Sequence, residues 1–519
     1  MDVRRVLSGF GMVALLSISA LSAQASTGKT TGPKHEGPTH LKNLTLPATD
    51  DQVLSKQEFA ALKKEVRELT ERKVANEPIL NDSLLSKEYI AFRTRLLAVS
   101  LETKNKTGVD LPEQLDAILT EAAGMDDAHF AALPDDLKLF VAVFAPLHSL
   151  KSFVFRVRPF VSDTPIVQSA LLTSIRSLLA VNRILIPTDQ MEAITRYVTE
   201  PMHGMGDKIT TSDDFKTFLA NELYMATVQM SRRLGSFKLI KPVVWDNQLL
   251  YGSASYQDDL DRYRSVGFAE QLAIRSAVYS SLSQLSVSIA YSLSDIMSVA
   301  NDLGKLYGVN VTVHTYDPFS DGIQGAKARD RVKHLREHTN YGMLEHAGSL
   351  TAAGNYYKKS VQYGIAAWEK LKDRPASQTS ALDPAIFNAI SRQMKVGVEN
   401  LEAMIQDQPA KIHSRVTGEV VTVDVMKFFT AGPADAKDLL PTDFLPGALE
   451  LSRDVDGQPV KYRNYMEGRA SNWDFTAEKG WGKILPDTHT AKDMEQALKI
   501  LSQAWGGTGP AAILGGLTL

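Results

Sequence analysis

The stretch from Phe268 to Tyr307 constrains the fold more than any other part of the sequence. No charged residue lies between Ser276 and Ser294, and no proline interrupts the stretch. Large apolar residues recur at steps of three and four, which is the spacing of one helical face. These residues are Leu282, Leu285, Ile289, Leu293, Ile296, Ala300, Leu303 and Tyr307. The spacing predicts one long helix.

A strand also fits part of this stretch, because apolar and small residues alternate between Leu285 and Ser294. Such alternation is typical of a half-buried strand. The uninterrupted length favours the helix, since no glycine lies between Gly267 and Gly304. Its serines are spread around the axis, so neighbouring helices can approach closely. The stretch is too polar for a bilayer span, which needs about 20 mostly apolar residues. We therefore predict a central helix surrounded by other helices.

Composition indicates an ordinary globular protein. Hydrophobic residues make up 44% of the 519 residues, and charged residues make up 23%. The net charge of −3 gives no overall attraction to nucleic acid. The chain has no cysteine, so disulfides cannot stabilise it and its core must do so.

The N-terminus has the pattern of a cleaved secretory signal. Arg4 and Arg5 precede an apolar run over 6–21, and Ala23-Gln24-Ala25 follows it. We predict cleavage after Ala25, so that the mature chain begins at Ser26. A large exported chain without cysteine fits a bacterial periplasm or cell surface. Eukaryotic secretion stays open, because four formal glycosylation triplets occur; they begin at Asn43, Asn81, Asn105 and Asn310.

Four segments follow from these patterns. Residues 1–25 are the signal peptide, and 26–52, rich in Thr, Gly and Pro, form a disordered leader. Residues 53–372 form an α-helical domain, and 383–519 form a C-terminal α+β region with β-hairpins and a final helix. The predicted fold class is mainly α, with a helical body around the long central helix and this smaller C-terminal region.

Within the helical body, Ser55-x-x-Glu58 is a capping box that begins the first helix. Further helices are predicted over 86–103, 111–122, 134–147, 165–181 and 213–234, the last capped by Asp213 or Asp214. Apolar residues and arginines alternate from Phe153 to Pro159, which predicts an edge strand or an extended loop. A loop with short extended pieces is predicted over 237–256.

Beyond the central helix the patterns become mixed. A short strand is predicted over 309–314 and a basic helix from about Lys327. Another helix begins at Asp383, with a proline in its first turn. The rest of the region is predicted as a hairpin over 413–426 turning at Thr417-Gly418, a connector over 430–447, a hairpin over 449–465 turning at Asp456-Gly457, and a helix capped by Thr490.

His334-x-x-Glu337-His338 is the sharpest chemical motif. On a helix, this spacing places two imidazoles one turn apart. The motif resembles the zinc motif of the insulysin and pitrilysin peptidases. The resemblance implies a zinc-dependent hydrolase, with His334 and His338 as zinc ligands and Glu337 as the general base. It also implies a third, glutamate ligand downstream, for which Glu399 and Glu419 are candidates.

The same helix has a simpler interpretation as a basic surface. Lys327, Arg331, His334 and His338 fall on one stripe, and acidic neighbours can pair with these bases. Such a surface needs no metal. It could bind an anionic surface, such as acidic lipid or lipopolysaccharide, or a protein partner.

Three of the five tryptophans, Trp473, Trp481 and Trp505, lie near the C-terminus. Aromatic faces can stack on sugars, so Trp473 and Trp481 are candidates for glycan binding. The spacing of its helix predicts that Trp505 is packed in the core.

We therefore expect a non-enzymatic binding or assembly protein of the bacterial cell envelope. It could be an accessory component of a secretion or surface apparatus. Its expected partners are envelope proteins, with an anionic surface or a glycan as further possibilities, and no nucleic acid. The mature chain is expected to have no transmembrane span and to lie in the periplasm or at the cell surface. The alternative is the zinc-dependent peptidase centred on 334–338.

Overall fold

The described part of the chain is mainly helical, with two-stranded antiparallel hairpins. The computed structural model describes residues 46, 52–69, 82–99, 110–161, 191–246, 263–296, 328–372, 397–414, 417–455 and 458–504. Its helices are α1 (Lys56–Glu68), α2 (Lys87–Ala98), α3 (Leu111–Gly124), α4 (Asp127–Ala132), α5 (Asp135–Phe144), α6 (Phe153–Val161), α7 (Met191–Thr199), α8 (Ser212–Phe218), α9 (Tyr224–Gly235), α10 (Phe268–Ala290), α11 (Ala328–Glu337), α12 (Ala347–Leu371), α13 (Val425–Ala431) and α14 (Ala491–Ala504). A further helical run covers 397–404.

The strands pair only as two-stranded antiparallel sheets within the described residues. They are β1 (Val243–Asp246), β2 (Tyr263–Val266), β3 (Ala410–His413), β4 (Val420–Val423), β5 (Asp443–Val455) and β6 (Gln458–Asn472). β1 pairs with β2, β3 with β4, and β5 with β6. The prediction of a mainly α fold with a smaller C-terminal α+β region is confirmed.

The central helix is α10, and its closest neighbour along most of its length is α12. Its serines join the two helices directly. The Ser276 hydroxyl donates to the Ser360 carbonyl at 2.7 Å, and the Ser283 hydroxyl donates to the Ala353 carbonyl at 2.9 Å. The small side chains therefore let α12 approach closely, as the sequence predicts.

The predicted C-terminal end of this helix is wrong. α10 ends at Ala290, and Asp295 lies in a turn with a φ of 61°. A distant segment replaces the helical hydrogen bonds, because the amides of Glu345 and His346 both donate to the Ala290 carbonyl, at 2.9 and 3.0 Å. The strand alternative is also wrong over 285–290, which is helical. Residues 297–307 lie outside the described residues.

Most helices of the body agree with the sequence. Ser55 and Glu58 form the predicted capping box of α1. The N-cap of α8 is Thr211 and not Asp213 or Asp214, since the Thr211 hydroxyl accepts from the Asp214 amide and the Asp214 carboxylate accepts from the Thr211 amide. The predicted helices over 165–181 and from Asp383, the strand over 309–314, and Lys327 lie outside the described residues.

The prediction of an edge strand from Phe153 to Pro159 is wrong, because this segment is helix α6. A helical turn buries Phe153 and Val157 on one side. It also points Arg156 inward, where its charge is paired with Glu222. The apolar–basic alternation therefore reflects a buried arginine paired with a half-buried carboxylate, and not a solvent-facing strand.

The C-terminal hairpins agree with their predicted turns. Gly418 has a φ of 72° between β3 and β4, and β5 and β6 pair up to Val455 and Gln458, on either side of residues 456–457, which lie outside the described residues. The predicted connector over 430–447 is wrong from Asp443 onward, where β5 begins. Its Pro446 is tolerated there because the register of the two strands shifts between Leu445 and Gly447. Thr490 caps α14 with Asp493, as predicted.

Two clusters of buried side chains form the core of the described residues. The larger cluster fills the helical body around α10. The smaller cluster joins the C-terminal region to the end of α10 and the start of α12, and includes Val287, Leu350, Phe428, Phe429 and Trp481.

The stretch Asp135–Phe160 is long and apolar enough to cross a membrane. However, 67% of its apolar segment is buried inside the protein, as in the core helix of a soluble protein, so the stretch is weak evidence for a membrane span.

Candidate functional site

A cleft of about 470 Å³ lies in the helical body, beside α6 and α9. Its walls come from the turn over 145–150, the start of α6, the loop over 204–206 and one face of the helix over 221–232. The lining residues are Ala123, Ala145, His148, Ser149, Lys151, Arg156, Gly204, Gly206, Asn221, Glu222, Met225, Ala226, Val228, Gln229 and Arg232.

Ser152 fixes the corner between the two cationic side chains of the wall. It is fully buried and has a φ of 54°, a backbone conformation that is uncommon outside glycine. Its amide donates to the Tyr197 carbonyl at 2.9 Å, and its hydroxyl accepts from the Met202 amide at 3.0 Å. These bonds hold the strained corner, which places Lys151 before it and Arg156 after it. Strain of this kind is often found at functional sites.

Arg156 organises one wall of the cleft. Its guanidinium makes a bidentate pair with Glu222, in which the Nη1–Oε2 distance is 2.6 Å. Its Nε donates to the Asp207 carbonyl at 2.9 Å, and its Cζ lies 5.3 Å from the centre of the Phe218 ring. Arg156 as a whole residue is 3% exposed. The buried cation is therefore fixed in one orientation, with its partner on the cleft side.

A π-helical turn at Leu219–Leu223 separates α8 from α9. It contains Asn221 and Glu222, which both line the cleft. Met225, Gln229 and Arg232 follow along the same helical face. Single π turns inside α-helices are frequent at functional sites, because they re-aim the side chains that follow.

Lys151 and the turn before it also line the cleft. The Lys151 ammonium donates to the Asp116 carboxylate at 2.8 Å, and its side chain is 12% exposed. Burial lowers the pKa of His148, so this imidazole is neutral near pH 7. The Ser149 hydroxyl donates to the Pro146 carbonyl at 2.8 Å. The only hydroxyl among the lining residues is therefore bonded to the backbone and not to a general base.

The zinc motif lies at the end of α11. His334 is within the helix, Glu337 is its last residue, and His338 follows it. Lys327 lies outside the described residues, and Arg331 lies in α11. The described residues contain no group of three or more His, Asp or Glu side chains that could hold a metal. Zinc binding at these positions stays a prediction.

The exposed bases of α11 are partly engaged. Lys333 is exposed, and so is Arg336, which donates to the carbonyls of Leu440 and Pro441 at 3.1 and 3.3 Å. This part of the basic face therefore contacts the C-terminal region. Binding of an anionic surface stays a prediction.

The structure buries both tryptophans predicted to bind glycan. Trp473 is 9% exposed and Trp481 is 5% exposed. The Trp481 indole N–H donates to the Leu439 carbonyl at 2.9 Å. Both rings are packed in the smaller core, so neither presents the open face that stacking on a sugar requires. Trp505 lies outside the described residues.

The cleft was not predicted from the sequence. Its strongest signal was Arg156, an arginine inside an apolar segment, which indicates a carboxylate partner elsewhere in the chain. Nothing near it in the sequence identifies Glu222 as that partner.

No protein-family model matches the chain, and comparison with curated proteins and with solved structures gives no match either.

Proposed function

We propose that the chain is an exported, non-enzymatic binding protein of the bacterial cell envelope, whose ligand occupies the cleft beside α6 and α9. One observation carries the proposal. The cleft has walls of fixed, paired charges, and its lining contains no hydroxyl or thiol activated by a base. Such a site holds and orients a ligand without an evident nucleophile.

The size and lining of the cleft support this proposal. Its volume of about 470 Å³ falls within the range of roughly 300–1,000 Å³ that small-molecule sites occupy. Met225 is 42% exposed there, and alanines lie beside it. Apolar surface of this kind binds the body of a ligand, while a few charged groups fix its orientation.

The N-terminal sequence pattern supports the proposed export of the chain to the cell envelope. A signal peptide over 1–25 would release a mature chain that begins at Ser26. Assembly with envelope proteins, as an accessory part of a secretion or surface apparatus, belongs to the same proposal. N-terminal sequencing of the released protein tests the export step, and a retained Met1 in the membrane fraction would contradict it.

The binding function is tested by filling the cleft. Ala226→Trp places an indole among the lining residues, whereas Ala131→Trp places the same group at an exposed position of α4. Native mass spectrometry of each protein, after incubation with the small-molecule fraction of an envelope extract, measures the bound ligand. We expect wild type and Ala131→Trp to carry an added mass that Ala226→Trp lacks. Equal loading of all three, or none on wild type, would contradict the proposal.

A further inference from the structure

Residues 342–346, called the junction strip from here on, connect the helical body with the C-terminal region. One edge of the strip is hydrogen-bonded to residues 290–292, at the end of α10, and the other edge to residues 434–436. With the donor amide named first, these bonds join Gly342 to Ser292, Ser292 to Met343, Glu345 and His346 to Ala290, Leu344 to Ala434, and Ala436 to Gly342. Displacing the strip would therefore loosen the contact between the two regions.

Lys216 of α8 fastens the strip from a third side. Its ammonium donates to the Tyr291 carbonyl at 3.1 Å and pairs with the Glu345 carboxylate. The Lys216 side chain is 1% exposed, whereas that of Glu345 is 22% exposed. Asp213, on the same helix, acts on this ammonium electrostatically. A positive charge is therefore fixed inside the protein, beside the strip.

His346 is the last residue of the strip and the N-cap of α12, but its side chain makes no capping hydrogen bond. The residue is buried, and its Nε2 has no hydrogen-bond partner among the described residues. An imidazolium carries an N–H on each ring nitrogen. Protonation in the closed strip would therefore bury a charged donor without an acceptor, which is costly.

The surroundings of His346 also disfavour a proton. Burial, and then the charge of Lys216, lower its pKa below the usual 6.5, while Glu345 opposes the shift. The ring lies at the N-terminus of a helix of 25 residues, where the helix dipole disfavours a cation. Asp435, on the other edge of the strip, acts on Tyr291. The closed strip therefore holds the neutral form of the imidazole.

Release of the strip would place the imidazole in water, where its pKa returns to about 6.5. A group whose pKa is lower in the closed form than in the open form binds its proton preferentially in the open form. Closure is therefore fully favoured above about pH 6.5. This advantage is lost as the pH falls toward the pKa of the closed form.

We propose that His346 is a pH-sensitive switch, whose protonation releases the junction strip from the end of α10 and from residues 434–436 while the helical body stays folded. None of the strip's residues belongs to the larger of the two described core clusters, which surrounds α10. Release therefore leaves that core intact and frees the C-terminal region to move against it. The switch needs no ligand in the cleft, so its test is independent of the proposed function.

Hydrogen exchange of the full chain, measured by mass spectrometry, tests the switch. Peptides that cover the junction strip are compared at pH 7.5 and pH 5.0, with exchange times corrected for the intrinsic rate at each pH. We expect the protection of the strip amides to fall roughly tenfold at the lower pH. Peptides from α9 are the internal control, because α9 packs in the larger core, and their protection should not change.

His346→Gln removes the titrating group and keeps a polar side chain. Glutamine is neutral at both pH values, so the strip of this variant should stay protected at pH 5.0. Three results would overturn the inference. These are an unchanged protection of the wild-type strip at pH 5.0, the same loss of protection in His346→Gln as in wild type, and an equal loss in α9.

Glu345→Gln decides the case in which His346→Gln opens the strip at every pH. This variant keeps an acceptor for Lys216 and removes the negative charge that favours a proton on His346. Its loss of protection at pH 5.0 should equal or exceed that of wild type. A smaller loss, or none, would identify the Glu345 carboxylate as the titrating group and would overturn the role of His346.

Discussion

At the scale of single residues, Gly206 packs directly against the Arg156 guanidinium. A Cβ added at position 206 would lie 2.5 Å from Nη2 and 2.6 Å from Cζ of that side chain. The guanidinium is the end of a flexible chain, but Glu222 and the Asp207 carbonyl hold it in place. A methyl group at this position must therefore break some of these bonds.

Gly206→Ala should lower the free energy of unfolding by about 1–3 kcal/mol, the usual cost of overpacking. Gly348→Ala is the control, because nothing lies within 4 Å of a Cβ in that helical position. It should be neutral or stabilising by about 0.5–1 kcal/mol, since alanine favours a helix more than glycine does. Urea unfolding measures both changes. Equal midpoints for the two variants would contradict the close contact with Arg156.

His346 provides a pH-dependent contribution to stability. Its side chain is buried, and its Nε2 has no hydrogen-bond partner among the described residues. Burial, and then the nearby charge of Lys216, lower the pKa of His346 below its usual value of 6.5, while Glu345 opposes the shift. The unfolded chain therefore binds more protons than the folded chain once the pH falls below about 6.5.

Stability from this group should consequently fall as the pH is lowered through 6.5 toward the folded pKa. His346→Gln should flatten that part of the profile. Urea midpoints between pH 5 and 7.5 test this. The idea fails if the His346→Gln profile is as steep as that of wild type.

At the scale of elements, the contact between α10 and α12 depends on small side chains. Ser283 is buried and donates to a carbonyl of α12, whereas Ser288 is half-buried and donates within its own helix, to Gln284. Ser283→Leu should force the helices apart and cost about 1–3 kcal/mol, with a lower Tm. Ser288→Leu should cost clearly less. Similar Tm losses for both would show that the separation of the helices does not depend on Ser283.

The elements that the sequence predicts correctly are those whose ends are determined by residues close to one another in the sequence. The capping boxes at Ser55 and Thr490 and the turn at Gly418 involve neighbours a few residues apart. The end of α10 was missed because the amides of Glu345 and His346, far along the chain, both donate to its last carbonyl, that of Ala290.

The candidate site was missed for the same physical reason. The helix over 153–161 directs Arg156 toward Glu222, a partner 66 residues away. Alternation within the segment contains no information about that pair. The cleft arises only when the two helices pack together, so neither its volume nor its charge balance could be predicted from the sequence.

At the scale of the whole molecule, metal content separates the binding protein from the zinc peptidase. We expect purified protein to contain far less than one zinc per chain, and His338→Ala to leave Tm unchanged, because His338 lies beyond the end of α11. Elemental analysis measures the zinc content, and a melting curve with a chelator measures the Tm. One zinc per chain, lost in His338→Ala together with a fall in Tm, would instead favour the peptidase.

The pairing of early and late segments has a consequence for the proposed export of the chain. The Leu54 amide donates to the Gln362 side chain at 3.1 Å, and Lys63 pairs with Glu402 at 2.5 Å. The smaller core likewise needs Phe428 and Trp481 to cover Val287. A chain that emerges N-terminus first cannot close the first two contacts until Gln362 and Glu402 have appeared, or complete the smaller core until Trp481 has appeared. For the export proposed above, incomplete folding during transit would keep the chain able to pass through a narrow channel, and closure of these late contacts would then prevent its return.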